Sequence, residues 1–257
     1  MATSPGHGRP NEDFAGAVPG AVVLLDGAGI PHNEHLCHHG TAWYSHTLGA
    51  TLLGRLSRVE GSDLATALAE SIEQVADEHR ATCDIADPSS PQATVAMLRS
   101  EEGRVDYLVL ADSYIVIDRT EGPQVVTDPR ELAVRDECTA PLSGLAPGTP
   151  DYQRALPAVI DAFRARRNQA GGYWIAKDDP EAAAQAVTGS VPLDGLTGAA
   201  LLSNGASRIV DPYRLAEWPA VLDLLRTGGP EEILRRVREA ESDGRSPDDA
   251  TVAYAAL

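Results

Sequence analysis

The stretch GAVVLLDGAG, residues 20–29, is the segment of this chain that decides the fold. It is a short, continuous apolar run that ends in Asp26 and Gly27, a pattern typical of a buried strand. Such a strand would carry the Asp26 carboxylate at its tip, where strand meets loop. Because an Asp-Gly pair after a strand is more often a turn than a metal ligand, its meaning depends on similar strand ends elsewhere.

Two further polar strand ends occur far along the chain. Asn204 follows the apolar run ALLS, and Asp248 with Asp249 precedes the strand-like segment TVAYAAL. A hydrolytic site with two metal ions needs hard oxygen ligands from several rigid elements, and one carboxylate bridges the ions. The three strand ends together are therefore candidate metal ligands, although each alone indicates little.

The rest of the chain shows strand and helix patterns that indicate an α+β fold. Strands in an antiparallel meander are predicted at 93–100, 104–113 and 114–120. Helices are predicted at about 39–54, 64–79, 154–166, 180–187, 215–225 and 230–241. The segment from Pro129 to Pro150 is rich in Pro, Gly and charge, and we expect a loop or irregular structure there. Sheets formed by such strands must be covered by helices.

Length and composition indicate one compact globular domain that spans residues 1–257. Hydrophobic residues make up 43% of the chain and charged residues 23%, which is ordinary globular usage. No apolar run is long enough to span a bilayer. The start, MATSPGHGRPNEDF, lacks the basic and apolar regions of a signal peptide, so we expect a cytoplasmic location.

The formal net charge of −17 bears on the partners of the protein. Nucleic acids and anionic membranes are bound through clustered Lys and Arg, so neither is an expected partner. Divalent cations suit this charge better. A solvated negative surface, which many acidic proteins carry, would explain the charge equally well.

Cysteines and histidines give no sequence signature of a closed zinc site. The three cysteines are Cys37, Cys83 and Cys138, and no two have the Cys-x-x-Cys spacing of a zinc or redox pair. Four histidines cluster ahead of the first helix, at positions 32, 35, 38 and 39. Because their spacing matches no closed zinc site well, we interpret them as surface histidines and the cysteines as reduced thiols.

Six short motifs extend from about residue 9 to residue 255. They are Arg9-Pro10-Asn11-Glu12-Asp13, LLDGAG (24–29), ATVAML (93–98), ADSYIVI (111–117), LLSNGAS (201–207) and DDATVAY (248–254). In kind and order they resemble the motifs of the type-2C serine/threonine phosphatases, the PPM family. The resemblance implies a four-layer α-β-β-α sandwich with two antiparallel sheets covered by helices. It also implies a phosphomonoester hydrolase that acts on phosphoserine and phosphothreonine in proteins.

The resemblance further implies a metal centre that holds two Mn²⁺ or Mg²⁺ ions, with a third, weaker ion in bacterial members. By position, Asp26 would bridge the two ions, the Gly27 carbonyl would hold one of them, and Asp248 would bind the other beside residue 204. A water activated by both ions would be the nucleophile.

Four more residues take roles from the same resemblance. Glu12 and Asp13 would anchor metal-bound waters, and Asp112 would help to hold the third ion. Arg9 would clamp the substrate phosphate, for which a guanidinium offers a bidentate fork.

Position 204 departs from the family pattern, which has aspartate there. Asn204 keeps one neutral oxygen but loses a negative charge, so metal affinity and activity should fall. The change could be natural, in a retuned site or a pseudophosphatase that binds a phosphorylated partner without turnover, or it could be deliberate. A phosphatase of a small phosphorylated metabolite is a further alternative. Asp249 also stands where asparagine is common.

Two smaller features allow two interpretations each. Tyr173 and Trp174 follow a pair of glycines and could line a substrate groove or cap the sheet core. Arg208 could contact phosphate or form a surface salt bridge.

Overall fold

The computed structural model describes residues 1–6, 10–29, 35–58, 63–242 and 244–256. The strands in these ranges are β1 (Ala2–Ser4), β2 (Phe14–Val18), β3 (Ala21–Ala28), β4 (Gln92–Glu101), β5 (Arg104–Leu110), β6 (Tyr114–Arg119), β7 (Gln124–Val126), β8 (Val187–Pro192), β9 (Leu196–Leu202) and β10 (Ala250–Ala256). The α-helices are α1 (Gly40–Leu56), α2 (Leu64–His79), α3 (Arg130–Thr139), α4 (Pro150–Arg164), α5 (Asn204–Ser207), α6 (Trp218–Gly228) and α7 (Pro230–Glu241). Short 3-10 helices cover Ala140–Leu142 and Pro180–Gln185.

The strands form two five-stranded antiparallel sheets within the described ranges. One sheet has the order β1-β10-β9-β6-β7 and the other the order β2-β3-β4-β5-β8. Helices α1 and α2 pack on the second sheet, and α6 and α7 pack on the first. The fold is therefore α+β, a four-layer α-β-β-α sandwich, as predicted. Among the helices of the described ranges, none combines the length and apolar character needed to cross a bilayer.

Strand β3 shows why its sequence is apolar without alternation. Leu24 points into the core between the two sheets, whereas Val23 and Leu25 point into the core under α1 and α2. Both faces of the strand are therefore buried, and successive side chains on opposite faces must all be apolar. The apolar run ends three residues before the end of β3, and the next residue, Asp26, pairs with Thr94 of β4; both of these residues line a cleft.

The predicted meander is only half correct. Strands β4 and β5 form the expected antiparallel pair, with Leu98 opposite Tyr107. Strand β6, however, leaves this sheet and pairs with β9 and β7 in the other one. Ala111, which has a φ of 65°, lies at the reversal between β5 and β6. The two faces of β6 suit its place in that sheet, because Ile115 and Ile117 face the core between the sheets and Val116 lies in the core under α6 and α7.

The prediction of a loop from Pro129 to Pro150 is wrong. This segment contains α3 and the 3-10 helix that follows it. Of the ten residues of α3 only Val134 is buried, so the helix lacks the apolar periodicity by which helices are recognised in sequence. Helices α3 and α4 pack together around Val134, Tyr173 and Phe163, at the end of the sandwich near Ala111.

Candidate active site

The polar strand ends predicted from the sequence converge on one cleft of about 320 Å³. Asp26 comes from β3, Asp112 follows β5, Asn204 begins α5 directly after β9, and Asp248 precedes β10. The residues that line the cleft are Glu12, Asp26, Gly27, Ala28, Gly29, Gln92, Thr94, Asp112, Glu131, Arg135, Phe163, Arg167, Tyr173, Ile175, Asn204, Arg208 and Asp248. Both sheets therefore contribute to it.

Asn204 lies between two of the carboxylates and donates a hydrogen bond to each. Its backbone N–H donates to Asp26 Oδ2 over 2.9 Å. Its side-chain Nδ2 donates to Asp112 Oδ2 over 2.8 Å. An aspartate at this position could not donate the second bond, because an ionised carboxylate is only an acceptor. The amide thus partly compensates the negative charge of the cleft.

The environment of Asp26 disfavours a charged carboxylate unless a cation is close. Withdrawal of the Asp26 carboxyl from water raises its pKa well above the usual range, and the neighbouring carboxylates of Asp13, Asp112 and Asp248 raise it further. The N–H of Asn204 acts in the opposite direction. A bound divalent ion would remove this penalty and keep the carboxylate ionised.

Asp13 lies behind Asp26 and is buried as well. Among the described residues neither carboxylate oxygen of Asp13 has a hydrogen-bond partner. The hydroxyls of Ser203 and Thr251 lie close enough to lower its pKa, yet neither reaches hydrogen-bond geometry with the Asp13 oxygens. Burial dominates and raises the pKa of Asp13 to about 7. Buried, unpaired oxygens beside Asp26 are the donor set that Mn²⁺ or Mg²⁺ prefers, so the residues present fit such ions.

Asp249 holds the first motif of the chain against the last. Its Oδ1 accepts a hydrogen bond from Gly6 N over 2.7 Å, and its Oδ2 accepts one from Glu12 N over 2.7 Å. Gly27 packs so closely on Glu12 that a Cβ at Gly27 would collide with the Glu12 carbonyl oxygen. These contacts fix Glu12 at the edge of the cleft. Arg9, predicted to clamp the phosphate, lies outside the described residues.

Arginines bring positive charge to the cleft. Arg208 donates to Asp248 Oδ2, and the Arg208 side chain is 23% exposed, so this pair lies at the cleft and not on the open surface. Arg135 approaches Asp112, with 3.6 Å between Nη2 and Oδ2. Both pairs leave guanidinium N–H groups near the carboxylates, where a phosphate group could accept from them.

Arg135 and Glu131 were not predicted as site residues. They lie four residues apart on α3, so they share one helix face, and that face borders the cleft. A prediction of helix α3 would have placed these two residues on one face, but the sequence of this segment predicts a loop. The Glu131 Oε2 is buried and has no partner among the described residues. Burial, and then the charge of Asp112, raise the pKa of Glu131 to about 8.

The two interpretations of Tyr173 and Trp174 divide between the two residues. Tyr173 lines the cleft, and its ring stacks on Phe163 with centroids 4.7 Å apart. Arg167 Nε donates to its hydroxyl over 3.0 Å. Trp174 instead packs on the core under α1 and α2. The cleft thus has one aromatic wall, formed by Tyr173 and Phe163.

Comparison with known proteins gives a family match and several structural likenesses. A family model described as protein phosphatase 2C matches residues 6–142. Comparison with curated protein sequences finds no significant match. The serine/threonine phosphatase PstP/Ppp of Mycobacterium tuberculosis superposes with a TM-score of 0.64 at 18% identity, covering 100% of this chain and 96% of that one.

Two other bacterial structures share the fold. The serine/threonine phosphatase Stp1 of Staphylococcus aureus gives a TM-score of 0.61 at 16% identity, over 100% of this chain and 93% of that one. PppA of Pseudomonas aeruginosa, described as a key regulatory component of T6SS, gives a TM-score of 0.59 at 17% identity, over 100% of this chain and 96% of that one. At these identities the likeness confirms the two-sheet architecture alone.

Proposed function

Because the chain belongs to the protein phosphatase 2C family, we propose that it hydrolyses phosphomonoesters, with phosphoserine or phosphothreonine in a protein as the substrate. One observation carries the proposal: the Asp26 carboxylate lies beside three other polar strand ends, Asp112, Asn204 and Asp248, in one cleft. Such a set of convergent oxygen donors suits metal-assisted hydrolysis.

Mn²⁺ or Mg²⁺ would be the cofactor. Asp26, the Gly27 carbonyl, Asn204 and Asp248 would hold two ions, and Asp112 would hold a third; Glu12 and Asp13 would orient water around them. When bound, such ions lower the pKa of water and neutralise charge on phosphoryl oxygens. The buried, unpaired oxygens of Asp13 and the raised pKa of Asp26 support this assignment.

The chain's own residues would position the substrate. Arg208 and Arg135, each beside an acidic cleft residue, would donate hydrogen bonds to the phosphate oxygens. The Asn204 N–H holds the Asp26 carboxylate in one orientation. Tyr173 and Phe163 would exclude water from one side of the cleft, which strengthens the electrostatic interactions inside it.

The test is Mn²⁺-dependent phosphate release from phosphoserine and phosphothreonine peptides. The chain as given, Asn204→Asp and Asp26→Ala are compared, and circular dichroism confirms that each is folded. We expect Asn204→Asp to exceed the given chain by at least about 10-fold, since losses around a metal site typically cost about 10 to 100-fold. We expect Asp26→Ala to be inactive. Asp223→Ala, which removes a mostly exposed carboxylate outside the cleft, is the matched control and should be fully active.

A folded Asn204→Asp protein that releases no phosphate in the presence of Mn²⁺ or Mg²⁺ would refute the proposal. The choice of substrate is tested in the same assay by including small phosphate esters. A phosphatase of proteins should give a higher kcat/KM for the phosphopeptides. The reverse ranking would assign the activity to a small phosphorylated metabolite.

A second candidate function is binding of a phosphorylated partner without turnover. The hydrogen bond from Asn204 Nδ2 to Asp112 favours it, because the amide supplies part of the charge compensation that a metal ion would otherwise provide. In this case the given chain would bind a phosphopeptide in a titration yet release no phosphate from it. Turnover by the given chain at a rate similar to Asn204→Asp would exclude this function.

A further inference from the structure

Two cysteines and two histidines meet outside the cleft. Cys37 and His39 lie just before α1, His79 is the last residue of α2, and Cys83 follows four residues later. Their sulfur and ring nitrogen atoms all lie within 4.8 Å of one another. Cys37 and His79 are buried, and the other two are partly exposed. The fold thus brings together two pairs of metal-binding side chains, and the pairs are separated by about forty residues in sequence.

The distances between these atoms match a tetrahedral metal site. Cys37 Sγ lies 3.6 Å from His79 Nδ1 and 3.9 Å from His39 Nδ1, and Cys83 Sγ lies 3.5 Å from His39 Nδ1. In a tetrahedral zinc site, Zn–S bonds of about 2.3 Å and Zn–N bonds of about 2.0–2.1 Å place S and N about 3.5–3.6 Å apart. Two of these three S–N distances have that length, the third is longer by about 0.3 Å, and every other pair of ligand atoms lies within 4.8 Å.

Two other roles for the cysteines explain the cluster less well. A disulfide would bring the sulfurs to about 2.05 Å and would not involve imidazoles, whereas Cys37 and Cys83 are free thiols with two ring nitrogens directed at them. A reactive thiol needs access to solvent. Cys37 is fully buried, so no substrate could reach it.

We propose that Cys37, His39, His79 and Cys83 bind one structural zinc ion in a Cys₂His₂ site. Four protein ligands leave no open coordination position, which is the arrangement of structural and not of catalytic zinc. Thiolate and imidazole ligands favour zinc over Mn²⁺ and Mg²⁺, which prefer oxygen. The protein would therefore carry two chemically distinct metal sites, one in the cleft and one between the helix ends.

The surroundings hold the ligands in place before the metal binds. Trp43 stacks on the His39 ring with centroids 4.2 Å apart and an interplanar angle of 24°. The backbone N–H of Asp84 donates to the Leu36 carbonyl over 2.8 Å, which ties the two ligand segments together.

The site would join the start of α1 to the end of α2 close to the cleft. Two residues after His39, Thr41 packs so tightly on Gly29 that a Cβ at Gly29 would collide with the Thr41 hydroxyl. Gly29 follows β3, which carries Asp26, and Ser45 of α1 donates to the Glu12 carbonyl over 2.5 Å. Zinc would thus fix the position of α1, which contacts Gly29 through Thr41 and Glu12 through Ser45.

The experiment is metal analysis of the purified, reduced chain by plasma mass spectrometry after dialysis against zinc. We expect one zinc ion per chain. Replacement by Co²⁺ should give the intense thiolate-to-cobalt absorption of a tetrahedral sulfur site. Cys83→Ser and His39→Ala, which change the partly exposed ligands, should lower the zinc content to less than half. Circular dichroism checks that both variants are folded.

Matched controls exist for each residue type. Cys138→Ser removes the third cysteine, and His38→Ala removes an exposed histidine whose Nδ1 lies 3.6 Å from Cys83 Sγ. Both should keep one zinc ion. Asp26→Ala should also keep it, which separates this proposal from the proposed phosphatase activity, since either can fail alone.

Three results would overturn the assignment. One is a folded, reduced chain that binds no zinc, and another is full zinc content in both ligand variants. The third is zinc loss in His38→Ala with retention in His39→Ala, because a different ligand set would then hold the metal.

Discussion

Replacing Asn204 by aspartate should destabilise the metal-free protein and should make Mn²⁺ stabilise it more strongly than it stabilises the unaltered chain. In the structure the Asn204 amide donates to Asp112 Oδ2 over 2.8 Å, and the Asn204 backbone N–H donates to Asp26. Aspartate keeps the backbone bond and loses the side-chain bond. It also places a further carboxylate beside Asp112, close to the already crowded Asp26.

The cost without metal follows from these contacts. A hydrogen bond to a charged acceptor contributes about 1.5–3 kcal/mol, and the new like-charge contact adds to its loss until one carboxyl takes up a proton. We expect Asn204→Asp to be less stable than the given chain by about 2–4 kcal/mol in EDTA. For a chain of this size, each kcal/mol corresponds to about 2–4 °C in Tm. The expected decrease in Tm is therefore roughly 5–15 °C.

Metal should reverse the order. With Mn²⁺ in the cleft, the added carboxylate binds the cation, and tighter binding to the folded state raises its stability by mass action. Differential scanning fluorimetry of both proteins in EDTA and in millimolar Mn²⁺ measures the effect. Gln74→Glu is the control: it replaces an amide that donates to Glu78 Oε1 by a carboxylate, on the exposed face of α2 and outside the cleft, so its loss of Tm should be equal in both conditions.

Two results would refute this reasoning. If Asn204→Asp is as stable as the given chain in EDTA, the amide does not hold Asp112. If Mn²⁺ raises the Tm of both proteins equally, residue 204 does not contact the metal.

Two further predictions concern stability. Asp249→Ala removes the acceptor of the Gly6 and Glu12 N–H groups and should cost about 2–4 kcal/mol in urea unfolding, and Asp249→Asn should cost less; equal stability of all three proteins would contradict the bridging role. Burial raises the folded-state pKa of Glu131 to about 8 from its usual 4.5. Between these values the folded state binds more protons than the unfolded state, so the free energy of unfolding in EDTA should fall as the pH rises from 4.5 to 8. Glu131→Gln lacks this loss and should be about 1–3 kcal/mol more stable than the given chain at pH 8 but not at pH 4.5, and a difference that does not change with pH would contradict the assignment.

Much of the cleft could be predicted because its residues lie in short local patterns. Asp26, Asn204 and Asp248 each adjoin an apolar strand, and strand ends are readable from sequence. That these residues share one site was predicted from the order of the motifs, because a local sequence pattern does not show which strand ends lie next to each other. The roles of these residues, and that of Arg9, stay predictions.

The parts that were missed depend on tertiary contacts. Helix α3 has a single buried residue, so its sequence resembles a polar loop, and Glu131 and Arg135 were lost with it. The transfer of β6 to the other sheet shows in the contact of Val116 with the core under α6 and α7, and a local pattern of strands cannot distinguish this arrangement from a meander.

The Cys₂His₂ cluster was missed for a similar reason. Neither the cysteines alone nor the histidines alone have the spacing of a zinc site. Each half of the group mixes the two residue types, Cys37 with His39 and His79 with Cys83, and the fold brings the two halves together. Of the histidine cluster ahead of α1, only His39 belongs to the group; His32 lies outside the described residues. The sequence signal of the Cys₂His₂ cluster is therefore a Cys-x-His pair at Cys37 and His39 with a His-x-x-x-Cys pair at His79 and Cys83.

The bridge made by Asp249 has a consequence for how the protein matures on the ribosome. Asp249 is translated 237 residues after Glu12, whose N–H it holds, and β10 must then insert between β1 and β9. Since a domain generally folds as a unit, the Glu12 side of the cleft is fixed only after Asp249 has been synthesised. We therefore expect the cleft to form only at the end of synthesis.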